Sequence, residues 1–537
     1  MKFTALTLGL ALALGTASAA QAGESEDYAG CDGLKKPKKK DDGMRGVASL
    51  TGHGSYSNLF GAPSSKPLDT LMACNRALAN PKLLATQAFR RAHLLRARAA
   101  AQLEMGDHAA ALADLDQAQG LVADRAGDPF FARSMGASLT LLRALAKAGL
   151  GETAEAAELA GQAASLRPYA LQIQLAASAI RGEARTDDAS LAEASQVLRL
   201  EPRAATQLIL RAHDRGDFAA VRRLAPEGLM LWGGSEDDAP AKRFVIQIDN
   251  AFLNALAATF SVAYAEAVAG HGDLARQRME EVRARLALLS AGGNAGAEIT
   301  KVMSDRIAAP RFTQVEARLA LEEEGPEAAL ARIVDAGLPA DAATLELFTA
   351  LRDRAPEGLR VPDAAAIAAE VAKEDAADLG RIAPSLLIAP ESARKLIDYK
   401  QSRPNILAAL VGASLSMGTS LLGGIERTTG FRSTANPDGT TTIEYVGATN
   451  SGPMVQEMTL LRAAELAREA GKGGFAIVER KDYQRFMATT QYGVEISRVP
   501  SGYKTELTVR FLDGEPAPAA FDAVAVIDDL GPLYSES

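Results

Sequence analysis

Histidine, cysteine and aromatic residues are all scarce in this chain, and each scarcity excludes something. Five histidines occur in 537 residues, at 53, 93, 108, 213 and 271. None lies beyond residue 271, so the region from residue 431 onward has no histidine base and no His-ligated metal. No H-E-x-x-H, P-loop or G-x-G-x-x-G occurs, which leaves no sequence ground for a metal, nucleotide or dinucleotide cofactor. Aromatics make up 5% of the chain, with Trp232 the single tryptophan. Such a composition favours helices packed through small residues. A basic excess is also missing. The formal net charge is −9, which argues against a nucleic-acid partner, since that would want a basic face.

Only two cysteines occur, Cys31 and Cys74. An early pair in an exported chain reads as a disulfide. It closes a loop of roughly 40 residues, worth about 4 kcal/mol in the chain-entropy model. Export itself is read from the N-terminus. Lys2 is a positive n-region, Phe3 to Gly15 a short apolar core, and Ala20-Gln21-Ala22 an A-x-A cleavage site. Residues 1–22 are therefore read as a signal peptide cut after Ala22, and the protein as periplasmic or secreted. The competing readings are a membrane anchor, for which the apolar core is short, and a lipidated Cys31. Acidic Glu24, Glu26 and Asp27 stand between that cysteine and the apolar core.

What is present divides the chain into five. Residues 23–66, with the lysine run Lys35–Lys40 and Gly/Pro/Ser-rich stretches, are expected to be a flexible arm. Residues 67–357 carry helical patterns with turns at intervals. Gly106-Asp107 is followed by Ala111 and Ala118, and Gly151 by Ala156 and Ala163 at the same offsets. Pro168 and Pro202 stand 34 apart, in Leu166-Arg167-Pro168 and Leu200-Glu201-Pro202. Gly216-Asp217, Gly272-Asp273 and Gly325-Pro326 repeat the turn. Glycine permits the tight turn, alanine the close helix crossing, and proline ends the second helix. This stretch resembles tetratricopeptide repeats. The resemblance implies a solenoid of helical hairpins that binds a peptide or protein, with side chains around Arg91–Arg98 on the first helix of a hairpin facing the partner. Val122–Phe131 interrupts the spacing.

Residues 358–430 are expected to be a helical cap or connector. Within it Pro404–Ile425 is charge-free, with Gly412, Ser416, Ser420 and Gly424 four apart. A membrane helix is one reading. A buried small-residue segment is favoured, because the positive flank at Lys395, Lys400 and Arg403 lies on the exported side. Residues 431–537 read as a small α+β domain. Thr440–Gly447 is a strand, Pro453–Ala470 a helix and Gly474–Glu479 a buried strand. A hairpin is expected to turn at Pro500-Ser501-Gly502. From Leu460–Leu466 and Gly474–Val478, this part is similar to a little-characterised bacterial envelope domain often found on lipoproteins, which implies an envelope location.

The chain is thus read as mainly α: a tetratricopeptide-like solenoid followed by an α+β domain. Its expected function is that of a non-enzymatic scaffold for a protein or peptide partner in the cell envelope. The alternatives are a C-terminal hydrolase and a membrane-tethered assembly factor. For the hydrolase the near-motifs are Ser392-x-x-Lys395, Ser501-x-x-Lys504 and Gly412-Ala413-Ser414-Leu415-Ser416. His93 and His108, on either side of one expected hairpin, are read as surface residues rather than metal ligands.

Overall fold

The computed structural model describes residues 24–37, 41–44, 66–181, 187–225, 250–290, 295–334, 336–391, 430–447, 451–491, 494–513 and 520–534. The expected signal peptide, Trp232, His53, most of the lysine run, Pro404–Ile425 and the serines 392, 414 and 416 lie outside the described residues.

The molecule is mainly helical, with a small antiparallel sheet near the C-terminus. Helices α3 (Ala88–Glu104) and α4 (His108–Leu121) form the first hairpin after an N-terminal pair, α1 (Glu24–Asp32) and α2 (Pro67–Ala79). A short helix α5 (Pro129–Phe131) runs through a π turn, Ala132–Gly136, into α6 (Ala137–Gly149), which pairs with α7 (Thr153–Leu166). Then follow α8 (Leu171–Arg181), α9 (Asp187–Leu200), α10 (Ala205–Asp214) and α11 (Phe218–Leu224). The helical part continues with α12 (Asn250–Val268), α13 (Gly272–Ser290), α14 (Ala295–Glu323), α15 (Pro326–Ile333), α16 (Ala342–Arg354) and α17 (Ala365–Arg381).

The turns share one chemistry. At five of them a glycine takes positive φ: Gly106, Gly151, Gly216, Gly270 and Gly325. In each turn a backbone N–H reaches the carbonyl five residues back at 2.9 Å, as from Asp107 to Gln102 and from Asp217 to Ala212. In the first four turns this is the longer bond of a Schellman closure, and in all five it satisfies a carbonyl the helix end would otherwise leave bare. Asp107 and Asp217 then cap the next helix, accepting from Ala110 N and Ala220 N. One expected turn is placed differently: Gly270 makes the turn and Gly272 opens α13. The alanines expected at crossings, Ala111, Ala118, Ala156 and Ala163, are all buried.

The described parts of the N-terminal segment, residues 24–37 and 41–44, depart from the expected flexible arm. The Cys31–Cys74 disulfide is formed, and it joins α1 to α2. Asp32 makes a two-pronged ion pair with the fully buried Arg90. Asp27 accepts from Arg76 at 2.6 Å, and Glu24 from Lys82 at 2.9 Å. Further on, Asp42 caps α3 through Arg90 N and pairs with Arg125 at 2.7 Å. Glu24, Asp27, Asp32 and Asp42, in a stretch that reads as a flexible arm, are each matched to a lysine or arginine beyond it in the chain, which composition alone does not reveal.

The sheet contains β1 (Gly430–Ala435), β2 (Thr441–Gly447), β3 (Gly474–Gln491), β4 (Val494–Leu512) and β5 (Phe521–Asp522), in the order β1-β2-β4-β3-β5, all antiparallel. Helix α18 (Gly452–Glu469) covers one face, with α19 (Ala523–Tyr534) beside it. The expected hairpin at Pro500-Ser501-Gly502 is a correction. Strand β4 runs straight through that tripeptide, and the chain reverses between Gln491 and Val494. The register instead slips there, Arg485 facing Gly502 and Phe486 facing Pro500, so Ser501 is the extra residue of a bulge. Proline lacks the N–H a regular ladder position needs, and a bulge accommodates it.

Among the described residues one helix, α12, is long and apolar enough to cross a membrane, and it is mostly buried among other helices.

Candidate functional site

Arginines are rarely fully buried without partners, yet Arg90, Arg96 and Arg167 are among the largest fully buried side chains here. Arg90 ties down the N-terminal segment. The other two mark a site where the chain's own connector is held against the helices.

After α17 the chain makes one 3-10 turn, Ala383–Leu386, and continues through Leu387–Glu391 without regular structure. This stretch touches α3, α6 and α8. Leu386 and Ile388 are both buried, and a tight turn joins them, the Ile388 N–H donating to the Leu386 carbonyl at 2.9 Å. They join a core built from Leu95, Ala99, Leu139 and Leu142. The helices grip its main chain with side chains. Arg96 donates to the Ile388 carbonyl at 3.0 Å, and the Ser138 hydroxyl donates to the Leu386 carbonyl. Glu391 N–H donates to Ser134 Oγ at 3.3 Å. Arg91–Arg98 were expected to face a partner. Arg96 faces the chain's own connector, and Arg98 is paired with Asp114 at 2.6 Å.

At the end of this trough lies a buried ion network. Arg167 Nη1 meets Glu391 Oε1 at 2.8 Å, while Nε and Nη2 hold both oxygens of Glu457 on α18, at 3.0 and 2.6 Å. Arg133 approaches Glu457 at 2.8 Å. Tyr534 on α19 donates to Glu457 at 2.5 Å, and Ser451 donates to Glu391. Two arginines and two carboxylates balance. Burial pushes the Glu457 carboxyl up, but Arg167 and Arg133 beside it more than offset this and hold it at about 2. Burial alone would lower Arg167, but Glu391 and Glu457 raise it well above its ordinary value.

The π turn positions two of these groups. Ala137 N–H bonds to Ala132 O, five residues back, and the Arg133 carbonyl accepts from Arg167 Nη1 at 2.8 Å. The same turn carries Arg133 and Ser134. Its single sequence trace is the interruption of the turn spacing at Val122–Phe131.

The other candidates fare differently. His93 is fully buried beside Arg96, with Nδ1 3.2 Å from Nη2, and His213 is buried against Phe218 and Tyr264. The surface reading of His93 is therefore corrected. It lies on a helix whose sides are covered by α1, α4 and α17, so its polar ring fell on what looked like an open face. Among the described residues no group of three or more His, Cys, Asp or Glu side chains is placed to hold a metal. Lys504 pairs with Glu444 across the sheet and with Glu506 two residues along its own strand. Ser392, Lys395, Ser414 and Ser416 lie outside the described residues.

No protein-family model, no curated protein and no solved structure matches this chain.

Proposed function

We propose that the protein is an exported scaffold of the bacterial cell envelope, built on tetratricopeptide-like hairpins, that binds a peptide or protein partner without chemistry of its own. The observation that carries this reading is that Arg96 and Ser138, each on the first helix of a hairpin, donate to main-chain carbonyls of an irregular segment, bonds that do not depend on that segment's side chains. The recurring Schellman-closed turns support the repeat character. The disulfide is compatible with an oxidising, extracytoplasmic location.

Two measurements test the reading. Expressed with its leader in a bacterium, the protein is expected in the extracytoplasmic fraction with Gly23 at its N-terminus. An uncleaved cytoplasmic protein would refute export. Immobilised full-length protein is then expected to retain envelope proteins that an Arg96→Ala/Ser138→Ala variant loses. Equal retention by both would remove the trough as the binding face, and retention of none would remove the scaffold reading.

A further inference from the structure

The sheet runs out into a ribbon that its other strands do not reach. β2 pairs with β4 only from Thr441↔Val509 to Gly447↔Tyr503, and β5 meets β3 only at Gly474 and Phe475. β3 and β4 continue together as far as Gln491 and Val494. Past the Gly447↔Tyr503 pair the ribbon therefore has two strands and, among the described residues, two open main-chain edges. A two-stranded ribbon is marginal in water by itself, and an open edge offers unpaired N–H and C=O groups to another strand.

The two edges are not alike. The irregularities of this outer part both lie on β4. Ser501 is extra between the pairs Arg485↔Gly502 and Phe486↔Pro500, and Ile496 between Thr489↔Ser497 and Thr490↔Glu495. β4 also carries Pro500, which has no N–H to offer an incoming strand. Bulges and proline blunt an edge against pairing. β3 has neither: from Glu479 to Gln491 it holds no extra residue, no proline and no glycine. Its last stretch, Phe486-Met487-Ala488-Thr489-Thr490-Gln491, carries no charge, a composition that pairs readily. Contacts of β3 with the helical part lie at its base, where Arg203 pairs with Glu479 at 2.8 Å and Arg480 donates to the Leu200 carbonyl at 3.3 Å.

We propose that the outer edge of β3 pairs antiparallel with the same edge of a second copy of this chain, about a two-fold axis between Ala488 and Thr489. This goes beyond the scaffold reading and does not depend on it. Two arguments choose a second copy. The first is register. That axis sets Phe486 opposite Gln491, Met487 opposite Thr490 and Ala488 opposite Thr489 of the other copy, each pair twice. The uncharged stretch is thus its own complement, no like charges face each other, and Arg485 falls outside the paired stretch. The second is closure. A two-fold pairing uses the one unblunted edge of each copy, so association stops at two. The sheet's other outer edge, β1, has six residues and contains Arg432, short and charged as protected edges are.

The test is the mass of the full-length protein by sedimentation across micromolar concentrations. The wild type is expected at twice the chain mass. Ala488→Lys/Thr489→Lys sets lysine against lysine twice across the axis and should raise the dissociation constant at least about tenfold, since opposed like charges are costly at an interface. Ala488→Lys/Thr489→Glu sets lysine against glutamate twice and should remain a dimer. Diluting the wild type below its dissociation constant should speed hydrogen exchange at residues 486–491 while α18 keeps its protection.

A wild type that stays a monomer overturns the inference, and is the result expected if the edge serves a strand of some other protein. A dimer that survives the paired lysines places the interface elsewhere and overturns it too. Loss of the dimer in both variants overturns the register. Assemblies larger than two overturn the closure. Where a variant does not fold, the wild type decides alone: exchange at 486–491 that ignores dilution overturns the pairing.

Discussion

Arg167 reaches Glu391 and Glu457 across 224 and 290 residues of sequence. Nothing near it in the chain announces those partners. In the sequence it is the middle residue of Leu166-Arg167-Pro168, where the proline carries the local meaning and the arginine looks like surface. Its role depends on a tertiary meeting that no local pattern encodes. Arg167→Met should cost about 3–5 kcal/mol, the usual penalty for stranding one side of a buried pair, read as a lowered urea midpoint. Arg167→Met/Glu391→Leu should recover part of that loss, because one stranded carboxylate is removed with it. Acid tests the same group. Glu457 sits at about 2 when folded, against about 4.3 in an unfolded chain. Its depressed value means the stabilisation is complete above about pH 4.5 and is lost as pH falls toward 2. Urea midpoints measured from pH 6 to pH 2 should fall less steeply in Glu457→Gln than in the wild type.

The elements were more legible than their partners. Helix α18 is observed at Gly452–Glu469, where Pro453–Ala470 was read, because a proline at the first turn and Gly471 after the end are local signals. The Gly-Asp turns were legible for the same reason. The hairpin reversal was misplaced because Pro-Ser-Gly favours a turn and a bulge equally, and only the pairing partner decides. Strand β1 and helix α19 were missed altogether. The first is six residues with Arg432, Ser433 and Thr434 exposed, and the second holds Pro532 in its last turn. The docking of α17 rests on a close approach that the sequence hides. A Cβ at Gly380 would lie 2.9 Å from the Leu103 carbonyl oxygen, which is backbone and cannot turn aside. Gly380→Ala should therefore cost about 1–3 kcal/mol, as overpacking does, and should speed exchange through 379–391.

For the whole molecule, the sequence suggests a boundary near residue 431, yet the helices and the sheet share one core. Phe130, Tyr169 and Leu200 of the helical part belong to the same apolar cluster as Tyr445, Leu461, Phe475 and Tyr534. Tyr169 also donates to Asp529 at 2.6 Å and packs edge-on against Phe521. Sequence patterning finds the change of period from helix to strand but not whether the two parts bury each other. That burial dictates the consequences of truncation. A chain ending at residue 391 would retain Arg133 and Arg167 but lose Glu457, leaving two arginines against Glu391 alone, and it would expose the Tyr169 and Leu200 surface to water. Such a fragment should aggregate or melt well below the full chain, and full-length protein should show both sheet and helix signals lost in one thermal transition. A fragment as stable as the whole would mean that the shared core contributes little. The far end of the molecule behaves differently. Reduction of Cys31–Cys74 frees α1 from α2, and those helices pack mainly on a small separate cluster with Leu83, Leu94 and Ala97. The loop-closure term of about 4 kcal/mol should therefore appear as early local unfolding of the N-terminal segment under reductant, visible by proteolysis before Phe89, with the main transition nearly unmoved.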